Sequence, residues 1–333
     1  MVLDVFELSC FVASRLDGRA LEARVAMAAQ AASGQRALIY VHPYPPLGGQ
    51  FRNNIVHELS ARFDSSVGVS VAFNLRGAGA SEGRTSWTGT SEQEDLRSIL
   101  DMLHHQLLRL HPARHSAADV RSILIQMQAR GFLHDDVDID RLDGIPLPSI
   151  TSTLLCGYSY GSVISSGIAA DEYPGLGVDY AHISFPYSVV WALALQKRGW
   201  YLQRIASTVS SAALAFAAGP ECTGRHIPRT LFIAGTADTF TGMSAYDRWW
   251  AQLRSKALEA LNVARPELAG SVGEYAVDRA LATVRVHNAD HGWMRRESEV
   301  SDAIEAWWWH EPPPGEGAND FDAEWAVVPR RYN

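Results

Sequence analysis

Cysteine is scarce in this 333-residue chain: Cys10, Cys156 and Cys222 lie far apart, are odd in number and form no C-x-x-C pair. That argues against a zinc site and a dithiol redox centre, and for three free thiols in a reducing compartment. Long apolar runs are missing too, and nothing approaches the roughly 20 residues of a membrane span. No dense Lys/Arg block stands out, so the electrostatic footprint of a nucleic-acid binder is lacking. Asp4 and Glu7 occupy the region where a signal peptide needs a basic start and an apolar stretch. Arg330-Arg331-Tyr332-Asn333 is neither a prenylation box nor a peroxisomal tripeptide. The expectation is a soluble cytoplasmic protein.

What is present is ordinary globular composition, 47% hydrophobic, 20% charged and 10% aromatic, with a formal charge of −8. A chain of this length buries a substantial core without disulfides or a structural metal. Arg36–Val41 is a short apolar run ending in His42-Pro43-Tyr44-Pro45-Pro46-Leu47-Gly48-Gly49, which reads as a buried strand entering a loop. Phe51–Phe63 has helical spacing, with Ile55, Leu59 and Phe63 on one face. Val67–Leu75 is a second strand, and Ser91 with Glu94 reads as the capping box of a helix reaching about Leu110. Further strands are expected at 153–156, 179–185, 230–234 and 283–287. Helices are expected after residue 161 to about Ala170, at 245–261 and at 299–309. Alternation of this kind predicts a single α/β domain over 1–333, built on a mostly parallel sheet covered on both faces. Residues 4–13 and 21–28 are expected to form an edge hairpin.

Some segments fit the alternation poorly. Residues 111–148 read as a loop or helical insertion, whose acidic run, Asp135 to Asp140, lacks the spacing and glycine of a calcium loop and reads as a solvated loop. Residues 188–229, with Trp191, Trp200 and Tyr201, read as a small helical cap; 264–282 is a third excursion. Residues 312–333 read as a Pro/Gly-rich tail. The Trp249-Trp250 and Trp307-Trp308-Trp309 clusters are expected mostly to pack the core.

The chemistry centres on Gly157-Tyr158-Ser159-Tyr160-Gly161. A G-x-S-x-G pentapeptide is common by chance, but this one follows an expected strand and opens an expected helix, as a nucleophile elbow requires. An unassisted serine hydroxyl is a poor nucleophile, so a base and an orienting acid are needed. Asp238 follows the strand Thr230–Ala234, at the C-terminal end where open sheets build their sites. The earlier position for an acid, Ser184-Phe185-Pro186-Tyr187-Ser188, holds no carboxylate. After the last strand, His291 in Asn288-Ala289-Asp290-His291-Gly292 is the expected base, with His287 in a core or surface role and Asp290 in a turn. A tetrahedral intermediate needs two N–H donors. Tyr160 supplies the first; since Pro43 has none, Tyr44 is the expected second. His42, Tyr44, Tyr158 and Trp191 are the expected substrate-pocket side chains.

Taken together, these residues resemble the α/β-hydrolase superfamily over nearly the whole chain. More narrowly, His42–Gly49 with Arg76-Gly77-Ala78-Gly79-Ala80-Ser81-Glu82-Gly83 and the run to Trp87 resembles uncharacterised fungal and bacterial hydrolases related to dienelactone-hydrolase-like and peptidase-like enzymes. The resemblance implies ester, thioester or peptide-type acyl transfer to water and no cofactor; the Trp, Leu and Ala content of residues 188–229 suggests a small, partly apolar substrate, and the expectation is an EC 3.1-type reaction without a metal. The chain departs from dienelactone hydrolases in having Ser where they typically use Cys, and from haloalkane dehalogenases in lacking Asp at the elbow. An acyltransferase with the same triad, and a non-catalytic ligand- or protein-binding member of the fold, are the alternatives. A small-molecule acyl substrate is the expected partner, with no nucleic acid; exposed tryptophan would leave room for a homodimer.

Overall fold

Val67–Phe73 and Gly177–Ile183 are buried at every position, as strands covered on both faces must be. The computed structural model describes residues 4–28, 33–219, 226–268 and 270–309; Cys222 and the expected tail at 312–333 lie outside them. Its main sheet has eight strands: β1 (Val5–Ala13), β2 (Ala20–Ala28), β3 (Ser33–Val41), β4 (Val67–Phe73), β5 (Ser152–Tyr158), β6 (Gly177–Ile183), β7 (Thr230–Gly235) and β8 (Leu281–Val286). Their spatial order is β1-β2-β4-β3-β5-β6-β7-β8. β1 and β2 form the expected edge hairpin, β2 runs antiparallel to β4, and β4, β3 and β5 to β8 are parallel.

Side-chain alternation splits the core into two layers. Leu38, Tyr40, Leu154, Cys156 and Tyr158 face the layer built with α1 (Asn54–Phe63) and α9 (Glu297–Trp309). Ala37, Ile39, Val41 and Leu155 face the other, with α2 (Thr90–His104), α3 (Ala117–Ala129) and α4 (Tyr160–Ser166). On that second side, α6 (Arg198–Ala218), α7 (Met243–Ala264) and α8 (Ser271–Ala280) close over Phe232 and Ala234 of β7, with the short α5 (Val190–Ala194) leading into them. The chain passes from β3 outward to β4 in one direction and from β5 outward to β6 in the other. The crevice at the C-terminal ends of β3 and β5 is therefore the switch point where an open α/β sheet accepts a ligand.

Several expectations need correction. α1 starts at Asn54, where the Asn53 side chain accepts the Ile55 N–H, and not at Phe51. The Ser91–Glu94 capping box is absent: α2 begins at Thr90 after Gly89 with no side-chain cap. Glu92 turns inward there to accept the Ser86 N–H and hydroxyl, each at 2.5 Å. α2 ends at His104, because Leu107–Leu108 pairs with Ile145–Pro146 in a two-residue ladder. α4 stops at Ser166, short of Ala170. Residues 111–148, expected as a loop or helical insertion, contain α3, opened by a reciprocal Ser116–Asp119 capping box, and in the exposed acidic run Asp140 pairs with Arg121 and Asp138 with Arg141. Within residues 188–229, where a small cap is expected, Val209, Ala212 and Ala213 of α6 pack with Trp249 in the core.

One buried charge ties the opposite end of the sheet together. Asp179 on β6 is fully buried. It accepts the Arg229 backbone N–H at 2.8 Å and guanidinium at 3.0 Å, lies 3.0 Å from His226 Nε2, and accepts the Trp308 indole N–H at 3.2 Å. Burial alone would raise its pKa, but the hydrogen bonds and charges of His226 and Arg229 outweigh it and hold the carboxyl below its ordinary range. Asp179→Ala leaves these donors without an acceptor, and a loss of about 3 kcal/mol is expected from equilibrium urea unfolding. A loss below about 1 kcal/mol would show that water replaces the carboxylate.

Candidate active site

Ser159 sits between β5 and α4 with φ 52° and ψ −117°, a conformation that costs an L-residue on the order of 1–3 kcal/mol. Crowding imposes it. A Cβ on Gly161 would stand 2.0 Å from the Val41 carbonyl oxygen, and one on Gly157 would stand 2.5 Å from the Ser162 Cα. With hydrogen there instead, α4 lies directly against the end of β3. The turn is held by the Ser159 N–H, which donates to Ile183 O at 2.8 Å, and by the Ser162 N–H and hydroxyl, which both donate to Ser159 O.

The loops after β7 and β8 bring the other two residues to this serine. His291 Nε2 is 2.9 Å from Ser159 Oγ, and His291 Nδ1 is 2.9 Å from Asp238 Oδ2. Asp238 is buried, and its second oxygen accepts the backbone N–H groups of Phe240 (2.8 Å) and Thr241 (3.2 Å). With both oxygens occupied, the carboxylate has one orientation, and Nδ1 of the neutral imidazole is the nitrogen that carries the proton. The two loops are fastened to each other: Thr236 N–H to Val286 O (2.9 Å), Ala237 N–H to Ala289 O (2.9 Å) and Asn288 N–H to Thr236 Oγ1 (2.9 Å). Gly235 permits this, because a Cβ there would stand 2.2 Å from Ala289 O. Asp290 is a turn residue, accepting the N–H groups of Gly292 and Trp293. His287 is exposed just past β8, and the imidazole that meets Ser159 and Asp238 is that of His291.

The expected oxyanion donors are adjacent. Tyr160 is the first residue of α4, where a helix leaves its N–H without an internal acceptor. Tyr44 lies in the loop after β3, and the two rings meet edge to face with centroids 4.9 Å apart. Among the described residues neither N–H donates to a protein acceptor.

The four expected pocket residues separate. Tyr44 is half-buried beside Tyr160. His42 is fully buried: Nε2 accepts the Leu75 N–H at 2.9 Å, and Nδ1 donates to Pro43 O at 2.7 Å. With both nitrogens used, it ties the end of β3 to the end of β4 and presents nothing to a substrate. Tyr158 is also buried, its hydroxyl donating to His291 O, so it positions the His291 backbone. Trp191 is 61% exposed on α5.

Two residues escaped sequence reasoning. Phe240 lies over the His291 imidazole, ring centroids 4.2 Å apart. Trp293 is fully buried, and its indole N–H donates to Ser184 Oγ at 2.9 Å, anchoring the histidine loop to the end of β6. The position of Trp293, two residues beyond the expected base, was the one signal in the sequence. A cavity of 630 Å³ lies on the flank between α6 and α7, lined by Tyr187, Leu202, Ser210, Trp249 and Lys256 among others; Ser159 and His291 are not part of its wall.

The sequence matches no family model and no curated protein. Solved structures share the architecture. An α/β serine hydrolase without a lid from Xanthomonas campestris is 17% identical, with a TM-score of 0.51 over 92% of this chain and 97% of its own. An α/β serine hydrolase homologue from Coxiella burnetii is 16% identical, with a TM-score of 0.52 over 89% and 95%. Est1E from Butyrivibrio proteoclasticus, solved with ferulic acid, is 11% identical, with a TM-score of 0.51 over 90% and 97%.

His42 makes the site acid-sensitive. Burial lowers its pKa from 6.5 to about 4. A histidine held neutral in the fold binds fewer protons than in the unfolded chain, so stability is intact above pH 6.5 and falls as pH drops toward 4. Between pH 7 and 4.5 this one group costs about 2 kcal/mol. Urea unfolding at the two pH values measures the drop, and His42→Gln should shrink it by that amount; an identical drop in the variant would assign the acid sensitivity elsewhere. With this sheet order, this elbow and these structural neighbours, the chain has the α/β-hydrolase fold.

Proposed function

We propose that this protein is a serine hydrolase cleaving an ester, thioester or related acyl bond of a small, partly apolar substrate, an EC 3.1-type reaction through an acyl-enzyme. The observation that carries this reading is the continuous chain from Ser159 Oγ through His291 to Asp238, with two separations of 2.9 Å, at a serine held in a strained turn. His291 Nε2 takes the Ser159 proton as Oγ attacks the acyl carbon, and Asp238 holds the Nδ1–H tautomer and stabilises the imidazolium. The negative oxygen of the tetrahedral intermediate is met by the N–H groups of Tyr160 and Tyr44. Collapse expels the alcohol or thiol, protonated by His291. Water, deprotonated by the same imidazole, then releases the acid and restores Ser159.

The fold is shared with hydrolases and with a protein that binds ferulic acid, which favours an acyl group as the recognised part. Phe240 over the imidazole and half-buried Tyr44 give that group apolar walls.

A fluorophosphonate probe should label the wild type and neither Ser159→Ala nor His291→Ala. On a short-chain nitrophenyl ester, Asp238→Asn should lower kcat about ten-thousand-fold with little change in KM, the pattern of a wrong tautomer. Absence of labelling in folded wild-type protein would remove the hydrolase reading and leave a ligand-binding role. Labelling accompanied by transfer to an added alcohol faster than to water would make it an acyltransferase.

A further inference from the structure

Large apolar side chains exposed singly are common on any protein; here they gather on one edge. More than half of those exposed among the described residues stand on segments leaving the C-terminal ends of the parallel strands, including Leu47, Trp87, Trp191, Trp200, Phe240 and Met294. Leu47 and Trp87 are each 74% exposed and Met294 70%. They come from separate loops, and contacts hold several of these loops together. The Tyr201 hydroxyl donates to Thr88 O beside Trp87, Trp200 packs edge to face on Tyr201 at 5.0 Å, and Phe240 lies on His291.

The charge on this edge is opposite to that of the chain. The loops 42–53, 74–89, 184–200, 236–242 and 287–296 hold seven Lys/Arg and three Asp/Glu, in a chain of net charge −8. All three acids are engaged: Glu82 with Arg114, Asp238 with His291, and Asp290 with backbone N–H groups. Residues 184–200 contain no acid at all. Arg52, Arg84, Lys197, Arg198 and Arg295 have no carboxylate partner among the described residues. Two of these cations lie over aromatic rings, Lys197 at 5.3 Å from the Trp200 centroid and Arg198 at 5.9 Å from that of Tyr187.

We infer that this edge docks on an anionic lipid surface, indoles entering the headgroup–acyl boundary and unpaired cations meeting lipid phosphates. Apolar residues backed by Lys/Arg are the chemistry such a surface selects. An uncharged apolar partner would leave the cations unmatched, and a second copy apposed edge to edge would set cation against cation. Docking would place Ser159 at the boundary, so, given the hydrolase reading above, the acyl substrate is an amphiphile taken from that surface. No helix among the described residues is long and apolar enough to cross a membrane, so the attachment is peripheral.

The test is co-sedimentation of the full-length protein with vesicles of phosphatidylglycerol and phosphatidylcholine, and of phosphatidylcholine alone. Wild-type protein should bind the anionic vesicles, less so at high salt. Lys197→Glu with Arg198→Glu should weaken binding about tenfold or more, and Trp87→Ser should weaken it separately. Both should leave fluorophosphonate labelling and hydrolysis of a water-soluble ester at wild-type rates. Equal binding to neutral vesicles, no binding by folded wild type, or a dimer in sedimentation velocity that Trp87→Ser dissolves would overturn the docking. Vesicle binding without labelling would uphold the docking and remove the hydrolase reading; labelling without vesicle binding would do the reverse.

Discussion

Everything at the site depends on how closely α4 approaches the end of β3. The 2.0 Å gap between a notional Gly161 Cβ and the Val41 carbonyl means that one methyl group would force the two elements apart. That contact sets where the Tyr160 N–H lies relative to the loop holding Tyr44. It also compels the Ser159 backbone into its positive-φ conformation, which nothing at the serine itself favours. The strain is offset locally by the hydrogen bond to Ile183 O and the two from Ser162, and more broadly by the buried helix and strand on either side. A serine in a relaxed turn would keep its hydroxyl but not its position between two strand ends.

Around that fixed point the histidine is the part with the least support of its own, since it sits on a loop beyond the sheet's last strand. The structure compensates with ties of different origin. Tyr158 grips the His291 carbonyl from β5, the Trp293 indole reaches Ser184 after β6, and Thr236 and Ala237 after β7 bond to the loop backbone. His291 is thus referenced to three strands, among them the one that leads into Ser159. Packing and hydrogen bonding therefore set the 2.9 Å separations, and the Asp238–His291 pair supplies only the last constraint.

Much of this was readable in the chain because the strands are buried on both faces and so appear as unbroken apolar runs. The Ser159–His291–Asp238 arrangement was readable because an elbow serine, then an aspartate and a histidine in loops after later strands, is the order in which a sheet of this kind brings three such side chains to one edge. What failed did so for physical reasons. Ser91 and Glu94 match a capping box, but Glu92 gains more by turning inward to Ser86, and a cap motif does not report which carboxylate the interior recruits. His42 reads as a pocket residue in sequence because only tertiary structure brings the Leu75 N–H to its second nitrogen. Phe240 carried no signal, as a single aromatic in a loop has no periodicity.

The separation of charge along the molecule has a further consequence. In a chain of net charge −8 an anionic ligand is drawn toward surface where cations outnumber acids, as they do on the loops at the C-terminal edge of the sheet. That edge carries its cations on the loops around Ser159, and at Trp200 and Tyr187 places them over ring faces that keep them oriented. Carboxylates within reach would have neutralised the same side chains at no cost to folding, as Glu82 does for Arg114 at the margin. The sheet does not require these cations to be unpaired, since all of them lie outside the two core layers. Their effect is therefore on what approaches Ser159, and it weakens with added salt in a way that packing does not.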